Sequence, residues 1–197
     1  MQDSLSTQRQ QVRQTIRQAR RQLSAQQQYD AAEQLMHNAL NHPKIAQANT
    51  IALFLSFDGE IDTKPLIQAL WAEGKQVYLP VLHPFSRHHL LFLHYRPDSQ
   101  LVKNRFNIDE PPLDVRDVLP LEKLDIMLIP LVAFDTQGQR LGMGGGFYDR
   151  TLANWQKIGF YPIGLAHNCQ QVEKLPIAHW DVPLPEIIMP QKVWRWS

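Results

Sequence analysis

The chain has 197 residues, of which 44% are hydrophobic, and its formal net charge at pH 7 is +1. This length supports a single domain over residues 1–197, and a charge so near zero argues against a dedicated nucleic-acid-binding protein. One cysteine, Cys169, excludes an internal disulfide, and no apolar run reaches the roughly 18 residues that span a bilayer, so we expect a cytoplasmic location.

The N-terminal segment, residues 6–48, is predicted to form two helices. The first carries an arginine stripe, which we define as Arg9, Arg13, Arg17, Arg20 and Arg21. Arg9, Arg13, Arg17 and either Arg20 or Arg21 recur every three or four residues, which puts them on one helical face. A second helix is predicted over residues 25–40, with Ser24 as its N-cap. The stripe is compatible with a solvated face, a basic arm for RNA, or a surface that contacts phosphate.

Strand and helix patterns then alternate along the chain. Strands are predicted at 50–57, 76–81, 90–95, 124–134 and 161–165, and a helix is predicted at 63–73, ended by Gly74. Strands separated by helices require right-handed crossovers, which favour a largely parallel sheet. We therefore predict an α/β fold with three layers, in which helices cover both faces of the sheet. Residues 97–120, with two adjacent prolines, are predicted to be irregular.

The most informative motif follows the buried strand at 124–134. Residues 140–150 have the sequence RLGMGGGFYDR, with four glycines in the five positions of the glycine loop, residues 142–146. Backbone without Cβ atoms can turn its N–H groups towards an anion, and the order strand, glycine loop, helix suits phosphate binding. The motif has neither the Walker A ending nor the Rossmann spacing, and a flexible turn is the alternative. A turn does not explain the flanking cations Arg140 and Arg150, or Asp149, which suits Mg²⁺.

These residues resemble the 5-formyltetrahydrofolate cyclo-ligase family, in which the loop usually follows a G-x-G-x-G-[YF]-Y-D pattern. Glu60, within SFDGEIDT, matches the family's substrate-binding glutamate, and Phe106 stands where an aromatic ring meets folate. The resemblance covers essentially the whole chain. It implies a ligase of one-carbon metabolism that uses ATP and Mg²⁺ to cyclise 5-formyltetrahydrofolate to 5,10-methenyltetrahydrofolate, releasing ADP and phosphate.

The resemblance also implies a role for each matched residue. The catalytic residues would be Arg140 and Tyr148. ATP would be bound by Arg9, Arg13, Arg140, Leu141, Gly142, Met143, Gly144, Gly145, Gly146, Phe147 and Tyr148. The folate would be bound by Leu55, Glu60, Phe106, Met143, Gly144, Gly145, Gly146 and Phe147. The metal ligands would be Asp149 and Asp181, although Trp180 stands before Asp181 where the family commonly has His.

Two other classes of protein remain open on the sequence alone. A different ATP-dependent enzyme or a phosphosugar-binding protein can use the same loop, and it would not need Glu60 and Phe106 beside it. An RNA-binding module can use the arginine stripe, but it would need exposed aromatic residues close by, and Tyr29 is the nearest in sequence. His83, His88, His89 and His94 lack the spacing of a zinc motif. We expect a monomer that binds ATP and folate, but neither nucleic acid nor a membrane.

Overall fold

A computed structural model describes residues 2–196, which form six α-helices and twelve strands. The helices are α1 (Gln2–Arg21), α2 (Ala25–Leu40), α3 (Pro43–Gln47), α4 (Lys64–Ala72), α5 (Phe147–Leu152) and α6 (Trp155–Ile158). The strands are β1 (Thr50–Ala52), β2 (Gln76–Leu82), β3 (Leu90–Tyr95), β4 (Val102–Lys103), β5 (Asp109–Glu110), β6 (Val118–Leu119), β7 (Ile126–Pro130), β8 (Ala133–Phe134), β9 (Arg140–Leu141), β10 (Tyr161–Leu165), β11 (Glu186–Ile188) and β12 (Val193–Arg195). Short 3-10 helices cover Val115–Asp117, Leu121–Lys123 and Asn168–Gln170.

The main sheet has eight strands in the order β12-β11-β10-β7-β1-β2-β3-β6. The five central strands, β11, β10, β7, β1 and β2, are parallel to one another. The outer strands are antiparallel to their neighbours: β12 pairs with β11 at one edge, and β3 with β2 and β6 with β3 at the other. The predicted α/β fold with a largely parallel sheet is thus confirmed. Two smaller hairpins, β4-β5 and β8-β9, stand outside this sheet.

Alternate residues of the central strand β7 point into two separate cores. Ile126 and Leu128 pack with α2, α3 and α4 on one face of the sheet. Met127 and Ile129 pack with α5 and α6 on the other. This alternation is the period of two expected of a strand with both faces buried, so helices cover both faces of the sheet as predicted.

Local sequence explains where the predicted helices begin. Ser24 caps α2: its hydroxyl accepts from the Gln27 N–H, and the Gln27 side chain accepts from the Ser24 N–H, which completes a capping box. The predicted helix at 63–73 corresponds to α4 with its two cap residues, Thr63 and Glu73. Both N-terminal helices that were predicted from the sequence are present.

Two strands are shorter than the sequence predicts. In both cases the chain leaves the main sheet early, in a segment that leads to candidate site residues. The strand predicted at 50–57 ends at Ala52, and the run at 124–134 is divided into β7 and β8. Because β1 and β7 are adjacent and parallel, the chain leaves both at the same edge of the sheet, where α/β proteins bind ligands. Among residues 2–196, no helix is both long and apolar enough to cross a membrane.

Candidate functional site

A cavity of about 1,380 Å³ opens at this edge of the sheet. It is lined by α1, by the turn after β1, by the β2–β3 region, by residues 104–110, by the glycine loop and by the segment around Asp181. The predicted site residues that line it are Arg9, Arg13, Leu55, Glu60, Phe106, Arg140, Gly142, Met143, Gly144, Gly145, Gly146, Phe147, Tyr148, Asp149 and Asp181. Leu141, also a predicted site residue, does not line the cavity. Its side chain is 1% exposed and packs in a small core with Ile16 and Val132.

The glycine loop exposes its backbone to this cavity. Gly144 and Gly146 have φ values of +99° and +69°, which L-residues with a Cβ rarely adopt. A Cβ on Gly144 would stand 3.4 Å from the Arg13 guanidinium. Arg13 also donates from Nε to the Gly142 carbonyl at 2.8 Å, so α1 holds the loop from the side.

Alternating charges surround the loop. Arg140, 3% exposed, donates from Nη2 to Asp149 Oδ1 at 2.5 Å. Arg9 binds Asp181 through both guanidinium nitrogens, at 2.5 and 2.9 Å. Burial opposes ionisation of Asp181, but hydrogen bonds from Arg9 and from the Ala178 N–H outweigh it and hold the pKa of Asp181 below its usual value.

Burial lowers the pKa of two arginines at the site, and nearby charges modify the effect. The neighbouring Arg9 lowers the pKa of Arg13 further, whereas Asp149 and Asp181 partly restore that of Arg140. Arg150 also lines the cavity and donates to the Gly146 carbonyl at 3.0 Å, so four guanidinium groups and two aspartate carboxylates surround the loop, which leaves an excess of positive charge there for an anionic ligand.

The other half of the cavity is suited to an aromatic ring. Phe106, which is 52% exposed, meets Phe147 edge-to-face, with ring centroids 6.3 Å apart. Glu60 lies at the base with 9% exposure. Burial raises the pKa of Glu60 to about 7, although Arg20 and the Phe57 N–H act in the opposite direction. Burial also raises the pKa of Tyr148, so its phenol remains protonated near neutral pH.

The arginine stripe divides into two groups along α1. Arg9 and Arg13, the two that were predicted to bind ATP, line the cavity. Arg17, Arg20 and Arg21 instead bind Asp58, in the turn that precedes Glu60. The latter three are therefore engaged by a carboxylate of the protein, rather than lining the cavity as a phosphate surface.

One cavity residue that sequence reasoning missed is His88, between β2 and β3. Its Nδ1 lies 2.9 Å from the Gly145 carbonyl, and its ring centroid lies 5.6 Å from that of Phe147. Because a carbonyl only accepts, this contact requires a proton on Nδ1. His88 has φ +64°, an uncommon conformation for a residue with a Cβ, and no sequence motif indicated it. Within residues 2–196, no group of three or more His, Cys, Asp or Glu side chains is arranged to hold a metal by itself.

The fold and the cavity define a class: an α/β protein in which a glycine-rich anion site flanked by arginines adjoins a site for an aromatic ring. The sequence model of the 5-formyltetrahydrofolate cyclo-ligase family matches residues 5–190. The 5-formyltetrahydrofolate cyclo-ligase of Escherichia coli (strain K12) is 60% identical over 92% of this chain and 100% of that protein. Its counterpart in Haemophilus influenzae is 59% identical over 92% of this chain and 97% of that protein.

A solved structure supports the same relationship. The NMR structure of 5,10-methenyltetrahydrofolate synthetase from Aquifex aeolicus superposes with a TM-score of 0.80, at 28% identity, over 95% of this chain and 92% of that one. The chain belongs to the 5-formyltetrahydrofolate cyclo-ligase family, which confirms the resemblance noted in the sequence.

Proposed function

We propose that the protein cyclises 5-formyltetrahydrofolate to 5,10-methenyltetrahydrofolate at the expense of ATP, releasing ADP and phosphate. The observation that carries the proposal is that Glu60 and Phe106 line the same cavity as the glycine loop. A phosphosugar-binding protein or an unrelated ATP-dependent enzyme would have no need of this combination. Family membership supplies the reaction, and the cavity supplies a site for each of its two substrates.

The reaction requires one phosphoryl transfer followed by one ring closure. The formyl oxygen on N5 attacks the γ-phosphate of ATP, so that an O–P bond forms while the bond to ADP breaks. N10 then attacks the activated carbon, loses its proton, and phosphate leaves as the ring closes. Positioning and neutralisation of negative charge are the main demands of phosphoryl transfer.

The residues around the glycine loop are suited to those demands. We assign Arg9, Arg13 and the loop from Leu141 to Phe147 to ATP, with the Leu141 contribution limited to its backbone because its side chain is buried. Arg140 would bind the transferring phosphoryl group, since it is a buried cation at the cavity wall. Tyr148, held in its protonated form, would donate a hydrogen bond to a reacting oxygen.

The folate would occupy the aromatic half of the cavity. The Glu60 carboxylate can accept two hydrogen bonds from a pterin ring, and Phe106 and Phe147 offer faces or edges for that ring. Leu55, Met143 and the glycines of the loop border the same space. Phe147, in place of the commoner Tyr, keeps the aromatic surface but offers no hydroxyl.

Asp149 and Asp181 fit a Mg²⁺ ion that accompanies ATP. Mg²⁺ is typically held by one or two carboxylates, with phosphate oxygens and water completing its shell, so a pair of carboxylates beside an anion site is an adequate donor set. Bound there, the ion would neutralise charge on the phosphates. Both carboxylates are now paired with arginines, and these guanidinium groups would bind phosphate oxygens when the carboxylates bind the ion.

The proposal is tested by following absorbance in the 5,10-methenyltetrahydrofolate band after purified protein is mixed with 5-formyltetrahydrofolate and MgATP. We expect a rise that requires ATP and falls at least about a hundredfold in Asp149→Ala. The matched control is Asp98→Ala, an exposed aspartate that does not line the cavity. Absence of a rise with folded wild-type protein would overturn the proposed activity.

We further propose that the protein acts as a monomer in the cytoplasm. The cavity is built from one chain, and the single cysteine, Cys169, is unpaired, which is the usual state in a reducing compartment. Size-exclusion chromatography with light scattering tests the first point: a mass near 22.8 kDa is expected. A dimer at micromolar concentration would contradict it.

A further inference from the structure

We propose that Arg20 is a positioning residue that holds Glu60 in the ionised, folate-binding form. The inference rests on the proposed role of Glu60 in binding the pterin. It concerns a residue of α1 that does not line the cavity and has no direct access to either substrate.

Arg20 is fully buried against the turn that carries Glu60. Its side chain has 0% exposure, and Nη2 donates to the Asp58 carbonyl at 3.0 Å and to Asp58 Oδ2 at 3.1 Å. Nη1 donates to the Leu131 carbonyl at 3.4 Å. The same nitrogen stands 3.8 Å from Glu60 Oε1, and Nε has no hydrogen-bond partner. A buried cation so placed stabilises a nearby negative charge strongly, because little solvent screens it.

The turn that carries Glu60 is packed directly against α1. Residues 57–60, here the Glu60 turn, are closed by a hydrogen bond from the Glu60 N–H to the Phe57 carbonyl at 3.0 Å. Its two central residues, Asp58 and Gly59, have φ values of +54° and +74°. A Cβ on Gly59 would meet the backbone of Arg20 at 3.3 Å, so the turn lies directly on the helix. This close packing, together with the ion pair between Arg20 and Asp58, holds the guanidinium beside the Glu60 carboxyl.

Besides the Phe57 N–H, which favours the carboxylate, four titratable groups lie near Glu60, and two of them carry a charge at pH 7. Arg20 of α1 favours the ionised carboxylate, and Asp58 in the same turn opposes it. Tyr148 of α5 is neutral near pH 7, because burial raises its pKa. His167, after β10, is also neutral, because burial and the positive charge of Arg20 lower its pKa to about 4. Arg20 is therefore the cation that offsets the cost of burying the Glu60 carboxylate.

Stability alone does not account for a buried arginine at this position. Asp58 already receives Arg17 Nε at 2.5 Å and Arg21 Nε at 2.7 Å. The Leu131 carbonyl already accepts from Gln170 Nε2 at 2.6 Å. Removing Arg20 would leave the Asp58 carboxylate and the Leu131 carbonyl with donors, although the Asp58 carbonyl would lose one, and within residues 2–196 it would take from Glu60 the cation that favours its ionised form.

The test is the dissociation constant of 5-formyltetrahydrofolate, measured by isothermal titration calorimetry from pH 6 to 9 for wild type and Arg20→Met. If the pKa of Glu60 rises from about 7 by roughly one unit, the ionised fraction at pH 7 falls from about one half to about one tenth. We expect binding about fivefold weaker at pH 7, and recovery to within about twofold of wild type at pH 9. A purely structural role would weaken binding by the same factor at every pH, and that result would overturn the proposal.

Arg21→Met is the matched control, since Arg21 binds the same carboxylate but its side chain is 57% exposed. We expect its binding profile to coincide with that of wild type, and an alkaline shift equal to that of Arg20→Met would also contradict the proposal. Arg20→Lys, which keeps the cation, should restore the profile towards wild type. If Arg20→Met does not fold, Arg20→Gln keeps hydrogen-bond donors without charge and should show the same alkaline shift.

A failure of the proposed function can be distinguished from a failure of this inference. Glu60→Gln should abolish the pH dependence of folate binding near neutral pH, and Arg20→Met added to it should introduce no alkaline shift. Folate bound equally well by wild type and Glu60→Gln would refute the role of Glu60 itself. Loss of binding in Glu60→Gln, together with coincident profiles for wild type and Arg20→Met, would refute only the role of Arg20.

Discussion

Replacing Glu60 by Gln should make the protein more stable above neutral pH while it weakens folate binding. Burial raises the pKa of this carboxyl from its usual 4.5 to about 7. A difference of that size corresponds to about 3 kcal/mol between the protonated and ionised forms, which is an upper limit because the site relaxes and the Gln amide faces the Arg20 guanidinium. We expect Glu60→Gln to raise the free energy of unfolding by about 2 kcal/mol at pH 8.

The sign follows from proton binding in the two states. Between pH 4.5 and 7 the unfolded chain has released the Glu60 proton and the native protein still holds it. The free energy of unfolding therefore falls as the pH rises through this window, and Glu60 adds no further change above it. Glu60→Gln has no such proton, so its stability advantage should grow between pH 4.5 and 7 and then remain constant.

Urea-induced unfolding at pH 4.5, 6, 7 and 8 measures this difference by linear extrapolation. The control is Glu122→Gln, an exposed glutamate in a 3-10 helix, whose free energy of unfolding should follow that of wild type. Parallel curves for wild type and Glu60→Gln would refute the reasoning, since they would mean that Glu60 ionises normally in the folded protein.

Three further predictions concern the glycine loop, its contact from the β2–β3 region, and a buried hydrogen bond elsewhere. Gly144→Ala, at φ +99°, should weaken ATP binding at least about tenfold, whereas Gly74→Ala at φ +76° has open space and should leave the kinetics unchanged. His88→Asn can keep both the left-handed backbone and an N–H donor, so steady-state KM values should stay near wild type, while His88→Ala should raise them several-fold. Glu186→Gln replaces the carboxylate that lies 2.5 Å from His42, outside the cavity, by an amide that hydrogen-bonds more weakly; urea unfolding should show a loss of about 2 kcal/mol with kcat/KM unchanged.

The fold was largely predictable because its elements carry strong local patterns. The capping residues of α2 and the apolar run that contains β7 identify themselves without tertiary information. The early end of β1 was not predictable, because residues 53–57 are apolar enough to continue a strand. They leave the sheet to form the Glu60 turn, whose geometry depends on contact with Gly59 from a helix nearly 40 residues earlier. The antiparallel pairing of β3 with β6 likewise joins segments more than 20 residues apart in the chain.

The candidate site was predictable where a motif and a family pattern coincide, as they do for the glycine loop. Periodicity identified the arginine stripe as one helical face, but it could not say which arginines would meet the cavity and which would meet Asp58. That division depends on where the helix is docked, and docking is set by packing of Val12 and Ile16 against Leu141. His88 gave no signal, because its contact with Gly145 spans 57 residues and involves no motif.

The helix α1 has few apolar residues, and its arginines attach it to two loops of the cavity wall. Arg13 reaches the glycine loop, whereas Arg20, two turns further along, reaches the Glu60 turn. Seven residues of helix span about 10 Å, so one rigid element sets the distance between the proposed ATP and folate halves of the cavity. Phosphoryl transfer depends on the spacing of the reacting atoms, which a helix bound at both ends preserves better than separate loops would. Through these contacts the arginines of α1 dock the helix, and in the proposed function the same contacts would align the two substrates.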